Sequence, residues 1–212
     1  MLKKVTIYGE RCSGTNYLEE LLTSNFEVEI VWDYGWKHFF GFADLTNSDS
    51  DDVLFIGIVR NITDWVNSFY RDPHHVPEHL LKDVDTFLND EFYSLFYDNT
   101  EILQDRNMET KKKYKNIFEL RHVKNKYLVD KMPTLVKNYL LITYDNLMDD
   151  FTNVMNKIKN CNLQVKNNIE FPLNTSNYRK YKNLTFTKKE NTIPSTKIME
   201  KANLHYEKIL FN

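Results

Sequence analysis

An α/β fold around a central parallel sheet, with helices on both faces in three layers, is what this sequence predicts, and three observations carry the expectation. Over the first third of the chain, short β-rich runs alternate with segments of helical periodicity, the pattern of strands joined by crossover helices. One run, Leu54-Phe55-Ile56-Gly57-Ile58-Val59, is apolar throughout, as a strand must be when both faces of its sheet are covered. A glycine-bracketed loop, Gly9 to Gly14, separates the first strand from the first helix. The length of 212 residues fits a single domain over 1–212, with a core at about 2–159 and a C-terminal extension over 160–212.

Taken in order, Val5 to Tyr8 reads as the first strand. Helix periodicity follows from Thr15 to Leu22, where Tyr17 or Leu18 with Leu21 and Leu22 forms one apolar face and Thr15 or Asn16 can serve as the cap. Val28 to Val31 is the second strand and Leu54 to Val59 the third. A helix carrying Trp65, Val66, Phe69 and Tyr70 comes next, capped by Asn61 or Thr63. The region from about Glu78 to Asn138 reads as helical, with Phe87, Phe92, Tyr93, Phe96, Ile117 and Leu120 on its faces. Leu140 to Tyr144 is a fourth strand, followed by a helix near Asp149 to Lys159 and a last helix near Ser195 to Leu210.

Composition narrows the function classes. With 28 Lys+Arg against 30 Asp+Glu, the net charge of −2 gives no bulk attraction to nucleic acid. Fourteen Phe and 13 Tyr exclude disorder throughout. No apolar run approaches the roughly 20 residues of a membrane helix, and the start of the chain lacks a secretory apolar stretch. Two cysteines, Cys12 and Cys161, make no disulfide framework. The expectation is a cytoplasmic protein in a reducing compartment, with neither nucleic-acid nor membrane partners. Only six cations are arginine and only five residues are glycine, so the positions of both are informative.

Gly9 and Gly14 flank Glu10-Arg11-Cys12-Ser13 between a strand and a helix. In that setting backbone N–H groups and the positive end of the helix dipole converge on an anion, a P-loop-like arrangement. A nucleotide-triphosphatase loop continues G-K-[ST] after its last glycine. Here Gly14 is followed by Thr15-Asn16, and the cation sits inside the loop as Arg11. Cys12 is either a thiol activated near a helix N-terminus or a residue that fits the tight turn.

The segment Tyr8-Gly9-Glu10-Arg11-Cys12-Ser13-Gly14-Thr15-Asn16-Tyr17-Leu18 resembles the 5′-phosphosulfate loop of sulfotransferases, enzymes that use 3′-phosphoadenosine-5′-phosphosulfate (PAPS). Arg11 stands where that family usually has Lys. A second match is Ile58-Val59-Arg60-Asn61 followed by Ser68, which is similar to the strand-end Arg and helix Ser that hold the cofactor's 3′-phosphate in the family. Chemistry makes the pair sensible unaided, because ligands bind at the carboxyl ends of strands in open α/β sheets and eight residues are about two helical turns. Against it stands a plain pairing of Arg60 with Asp64 or Asp72. A weaker likeness, Leu141 to Leu147, is similar to the Tyr-Glu-Asp-Leu that follows a later core strand in the family. The resemblance covers about Leu2 to Lys159.

That resemblance implies a PAPS-dependent sulfotransferase that moves a sulfuryl group to a hydroxyl or amine of an acceptor, a carbohydrate or small molecule, releases 3′-phosphoadenosine 5′-phosphate (PAP) and requires no metal. Arg11, Cys12, Ser13, Gly14, Thr15 and Asn16 are then the phosphosulfate residues, and Arg60 and Ser68 the 3′-phosphate residues. After the second strand, His38 is the proposed base and Lys37 either a neutraliser of sulfuryl oxygen or a binder of an acidic acceptor, while a packed histidine with one satisfied nitrogen is the competing reading of His38. Glu10 and Glu19 are lesser candidate bases. His74, His75 and His79 lack the partners of a metal site and are expected to line the acceptor entrance or to lie on the surface without a role. Lys111 to Lys113, Lys115, Arg121 and Lys124 read as a solvated basic face. One of the pairs Arg179-Lys180 and Lys188-Lys189 is expected to reach the 3′-phosphate as part of the extension. The alternatives are a divergent P-loop kinase and a catalytically silent nucleotide-binding or interaction protein.

Overall fold

The computed structural model describes residues 1–166 and 189–211. Four strands, β1 (Lys4–Tyr8), β2 (Glu29–Ile30), β3 (Val53–Val59) and β4 (Tyr139–Thr143), form one sheet in the order β2-β1-β3-β4, and every pairing is parallel. Val5 lies opposite both Ile30 and Leu54, and Phe55 opposite Tyr139. All seven residues of β3 are buried, as its unbroken apolar run requires. Successive side chains of a strand face opposite ways, and both faces find partners. Leu54, Ile56 and Ile58 pack with Leu18, Leu21 and Leu22 of α1 (Thr15–Asn25) and with Val154, Met155 and Ile158 of α7 (Phe151–Lys159). Val53, Phe55 and Val59 pack on the other face with Phe40, Leu128, Met132 and Val136.

A third apolar cluster lies on α2 (Ile62–Arg71), where Trp65, Val66 and Phe69 meet Phe87 of α3 (Val84–Asn89), Leu120 of α4 (Ile117–Lys126) and Ile198 of α8 (Ser195–Met199). Asn61 caps α2, its side chain accepting from the Asp64 backbone N–H. No helix among the described residues is long and apolar enough to cross a membrane.

Several boundaries differ from the sequence expectation. Residues 90–116 form no long helix. Turns and short bridges, Phe92 with Tyr114 and Leu95 with Glu101, replace it. Asp98 and Asn107 accept hydrogen bonds from backbone N–H groups two or three residues on, and such side-chain bonds compete with helix. Five helical residues from Tyr127 to Lys131 widen to a π-turn before α5 (Met132–Leu135). The helix expected at Asp149 is preceded by another, α6 (Tyr144–Asp149), and the last helix is split into α8 and α9 (His205–Phe211). Gly14, in left-handed conformation, is the N-cap of α1 in place of Thr15 or Asn16.

Candidate functional site

The strand order reverses between β1 and β3, because the connection after β1 leads to β2 on one side and the next leads to β3 on the other. Open α/β sheets bind ligands at such a point, beyond the carboxyl ends of the strands. Two segments meet there, the loop after β1 and Arg60 after β3.

Two glycines shape the loop for different reasons. A side chain at Gly9 would lie 2.7 Å from the Ile58 carbonyl oxygen and 2.8 Å from Thr15 Cγ2, so strand, loop and helix approach this closely only because none is there. Gly14 has φ of 91°, and a methyl at its α-carbon would overlap the Tyr144 ring. Cys12 is also left-handed, with φ of 62°. No side chain caps α1 and no acidic residue lies in its first turn. Among the described residues the first backbone N–H groups of this 11-residue helix therefore have no side-chain acceptor, and the nearest carboxylate of the loop, Glu10, accepts from the Arg11 N–H at 2.8 Å.

Arg60 and Ser68 converge on the loop. Arg60 Nη1 donates to the Cys12 carbonyl at 3.3 Å, and its guanidinium lies 5.0 Å from the centre of the Tyr144 ring. Its Nε is buried with no hydrogen-bond partner among the described residues. Neither Asp64 nor Asp72 pairs with it, since Asp64 takes Asn61 and Asn191. The Cys12 thiol donates to the Asp72 carbonyl at 3.7 Å, and Ser68 lies near enough to favour its charged form. Burial first, and then Asp72, push that thiol up to about 12, so Cys12 is a protonated turn residue, and the activated-thiolate reading is set aside.

Arg11 occupies a different place from the one expected of a phosphosulfate ligand. Its side chain is 0% exposed. Nε donates to Glu10 at 2.6 Å, Nη2 to Asp105 at 2.7 Å, and Nη1 to Ser94 at 2.7 Å and the His74 carbonyl at 3.2 Å. Phe39, Phe69 and Phe92 stack around it. Lys124 joins the same cluster, bonding Glu10, Asp105 at 2.5 Å and the His38 carbonyl at 2.6 Å. Burial alone would raise the Glu10 carboxyl, but Arg11 and Lys124 outweigh it and hold it down at about 2. Two cations and two carboxylates thus neutralise one another behind the loop. Arg11 is an anchor, and neither it nor Glu10 presents a group to a ligand. Lys124 and Arg121, expected on a solvated face, are both buried: Arg121 grips Glu207 of α9 at 2.6 and 2.9 Å and donates to the Arg60 carbonyl at 2.7 Å.

Lys37 and His38 do reach the loop. The Gly9 N–H donates to the Lys37 carbonyl at 2.9 Å, and His38 Nδ1 donates to the Gly9 carbonyl at 2.8 Å. Lys37 Nζ bonds the side chains of Asn16 and, at 3.2 Å, Glu19, which places a cation at the first turn of α1. Burial lowers the His38 imidazole to about 3, against the raising effects of Glu10 and the Gly9 carbonyl. The ring is therefore neutral near pH 7, with its proton on Nδ1 and its lone pair on Nε2. Ser13 and Thr15 are buried within the turn.

Of the C-terminal basic residues, Arg179, Lys180 and Lys188 lie outside the described residues, and Lys189 is exposed. The described part of the extension lies along the helix of Ser68: the Thr192 and Ile193 N–H groups both donate to Asn67, and Arg71 bonds the Glu190 carbonyl. Among the described residues no group of three or more His, Cys, Asp or Glu is placed to hold a metal ion. The parts that sequence reasoning missed are Asp105 and Ser94, 94 and 83 residues from Arg11. No spacing signal joins positions so distant, although Glu10 beside Arg11 is visible in the sequence. Compared with protein-family models and with curated proteins, the chain matches none.

Proposed function

We propose that the chain is a PAPS-dependent sulfotransferase transferring a sulfuryl group to an acceptor hydroxyl. The observation that carries this reading is the reach of Arg60 to Cys12 of the loop, with Ser68 near the same residue, beside a helix N-terminus without side-chain cap or acidic first turn. A donor fork with one buried unpartnered N–H, next to a hydroxyl, suits a phosphate monoester. The uncapped helix end, with Gly14, Thr15 and Asn16, suits the second anionic group.

The fit is uneven, and the unevenness assigns roles. Every donor nitrogen of Arg11 is committed to Glu10, Asp105, Ser94 or the His74 carbonyl, so the cation for the sulfuryl and leaving oxygens is Lys37, which exchanges its bonds to Asn16 and Glu19 at the first turn of α1 for those oxygens. His38 Nε2 accepts the proton of the acceptor hydroxyl as its oxygen bonds to sulfur and the bond from sulfur to the phosphate oxygen breaks. The electron pair of that bond leaves with PAP. The main-chain N–H groups at the start of α1, set by the turn at Gly14, stabilise the charge developing on the leaving group, while those of Gly9, Arg11 and Ser13 are held by Lys37 and Glu10. A divergent P-loop kinase fits less well, because Thr15-Asn16 supplies no lysine after Gly14.

Titration of the full chain with PAP, set against ATP plus magnesium, tests the reading. PAP is expected to bind more tightly, and Arg60→Ala to weaken it by at least about tenfold, the worth of a charge-assisted contact. Equal affinity for ATP plus magnesium, or no change in Arg60→Ala, overturns it.

A further inference from the structure

We propose that Arg121 is a positioning residue for Arg60, and that the C-terminal helix α9, which grips Arg121 through Glu207, completes the phosphate-binding end of the site from behind. The inference rests on the sulfotransferase reading and adds to it how that end of the site is held in shape. Arg60 has little to fix its own side chain. Its Nη1 donates to the Cys12 carbonyl at 3.3 Å, and its buried Nε has no hydrogen-bond partner among the described residues. Where the head of a side chain is kept open for a ligand, its aim must come from the surroundings that carry it.

Those surroundings clamp one peptide unit at both ends. The Arg60 carbonyl accepts from Arg121 Nη2 at 2.7 Å, and the Asn61 N–H that follows donates to Asp145 at 3.0 Å. Because the peptide is planar, the two bonds together set its tilt, and with it the direction in which the Arg60 side chain leaves the strand end. Arg121 is 3% exposed, and its Nε and Nη2 donate to Glu207 at 2.6 and 2.9 Å, so it acts on a ligand only through Arg60. Its guanidinium lies 5.0 Å from the centre of the Trp65 ring, and Trp65 Nε1 donates to the Arg11 carbonyl at 2.8 Å. Two side chains in contact, Arg121 and Trp65, thus each hold a carbonyl in one of the two segments that meet at the site.

Docking of α9 does not by itself account for the ion pair. The helix is also held by Tyr206, buried and bonded through its hydroxyl to Asp130, and by Leu210 and Phe211, which pack with the cluster on the second face of the sheet. A buried ion pair adds little to stability over apolar residues of similar volume. A planar guanidinium, however, bridges a carboxylate and a carbonyl at once, which the point charge of a lysine does not.

The test titrates the full chain with PAP and with adenosine 5′-phosphate, which lacks the 3′-phosphate, in the wild type, Arg121→Lys and Glu207→Gln. Both variants are expected to weaken PAP by about fivefold, the size of coupling between residues of one network, and to leave adenosine 5′-phosphate within about twofold. In an Arg60→Ala background, Arg121→Lys is expected to add nothing further. Equal weakening of both nucleotides, unchanged PAP affinity in both variants, or the same loss in the Arg60→Ala background overturns the proposal. Failure of both variants to fold overturns it too, because the pair then holds up the whole fold rather than the site. A second readout needs no nucleotide: the Arg60 Nε–H resonance in a proton–nitrogen correlation spectrum, identified by its loss in Arg60→Ala, is expected to shift in both variants. A resonance that does not move overturns the proposal. If PAP fails to bind the wild type, the sulfotransferase reading falls, and that resonance alone decides the role of Arg121.

Discussion

His38 donates its Nδ1–H to the Gly9 carbonyl, and in its dry surroundings the charged form is held down at about 3. A base that stays unprotonated from pH 8 to pH 5 gives no acid limb near 6.5, the ordinary imidazole range. Turnover in the proposed sulfuryl transfer is therefore expected to hold level over that interval, and kcat measured against pH checks it; a fall through 6.5 contradicts His38 as its base. Gly14 makes a second point at the same scale. Gly14→Ala places a β-carbon at φ of 91° and against the Tyr144 ring. The backbone alone costs about 1–2 kcal/mol, and the overlap adds to it. Urea unfolding is expected to show the full loss in Gly14→Ala, and Tyr144→Ala in the same chain to relieve only the part due to overlap.

Among elements, the loop after β1 depends on segments far along the chain. Arg11 and Lys124 are balanced by Glu10 and Asp105, all nearly or fully buried. Removing one member of such a group leaves an uncompensated buried charge, at a cost of about 3–5 kcal/mol. Asp105→Ala is expected to lose that much in urea unfolding, and Arg11→Met a similar amount. An Arg11 that served only as a ligand would weaken PAP binding and leave stability nearly unchanged. The loop glycines, the strand-end Arg60 and the Asn61 cap were legible in the sequence because each is a local signal: a turn, a strand end, a helix start. The commitment of Arg11 was not, because the Asp105 and Ser94 that claim it come from a segment that reads as helix in the sequence and folds instead into turns and short bridges. Lys124 and Arg121 misled for a related reason, since basic residues on a helix look solvated until the partner carboxylates, Asp105 and Glu207, are brought to them by the fold.

For the whole molecule, acid acts through two of these groups. His38 has a native value of about 3, well under the ordinary 6.5 of the unfolded chain, so below 6.5 the unfolded state binds a proton that the folded state refuses. Stability therefore falls as pH drops from about 6.5 towards 3. Glu10, held at about 2, adds stability present above the unfolded value near 4.5 and lost as pH falls towards 2. The urea midpoint is expected to decline from pH 6.5 to 4.5, and His38→Gln to flatten that upper part of the curve while leaving the decline below 4.5.

By itself the sequence determined the parallel α/β sheet, the β3 run covered on both faces, the glycine-bracketed turn and the placing of Arg60 and Ser68 two helical turns apart. All of these are set by residue period and local backbone freedom, which act over a few positions. Tertiary structure alone decided which cations face a ligand and which are buried against carboxylates. It also decided that Lys37 and His38 lie against the loop. Charge pairing and ring contact are governed by distance in space, and the sheet sets those distances only after residues far apart in the chain have been packed together.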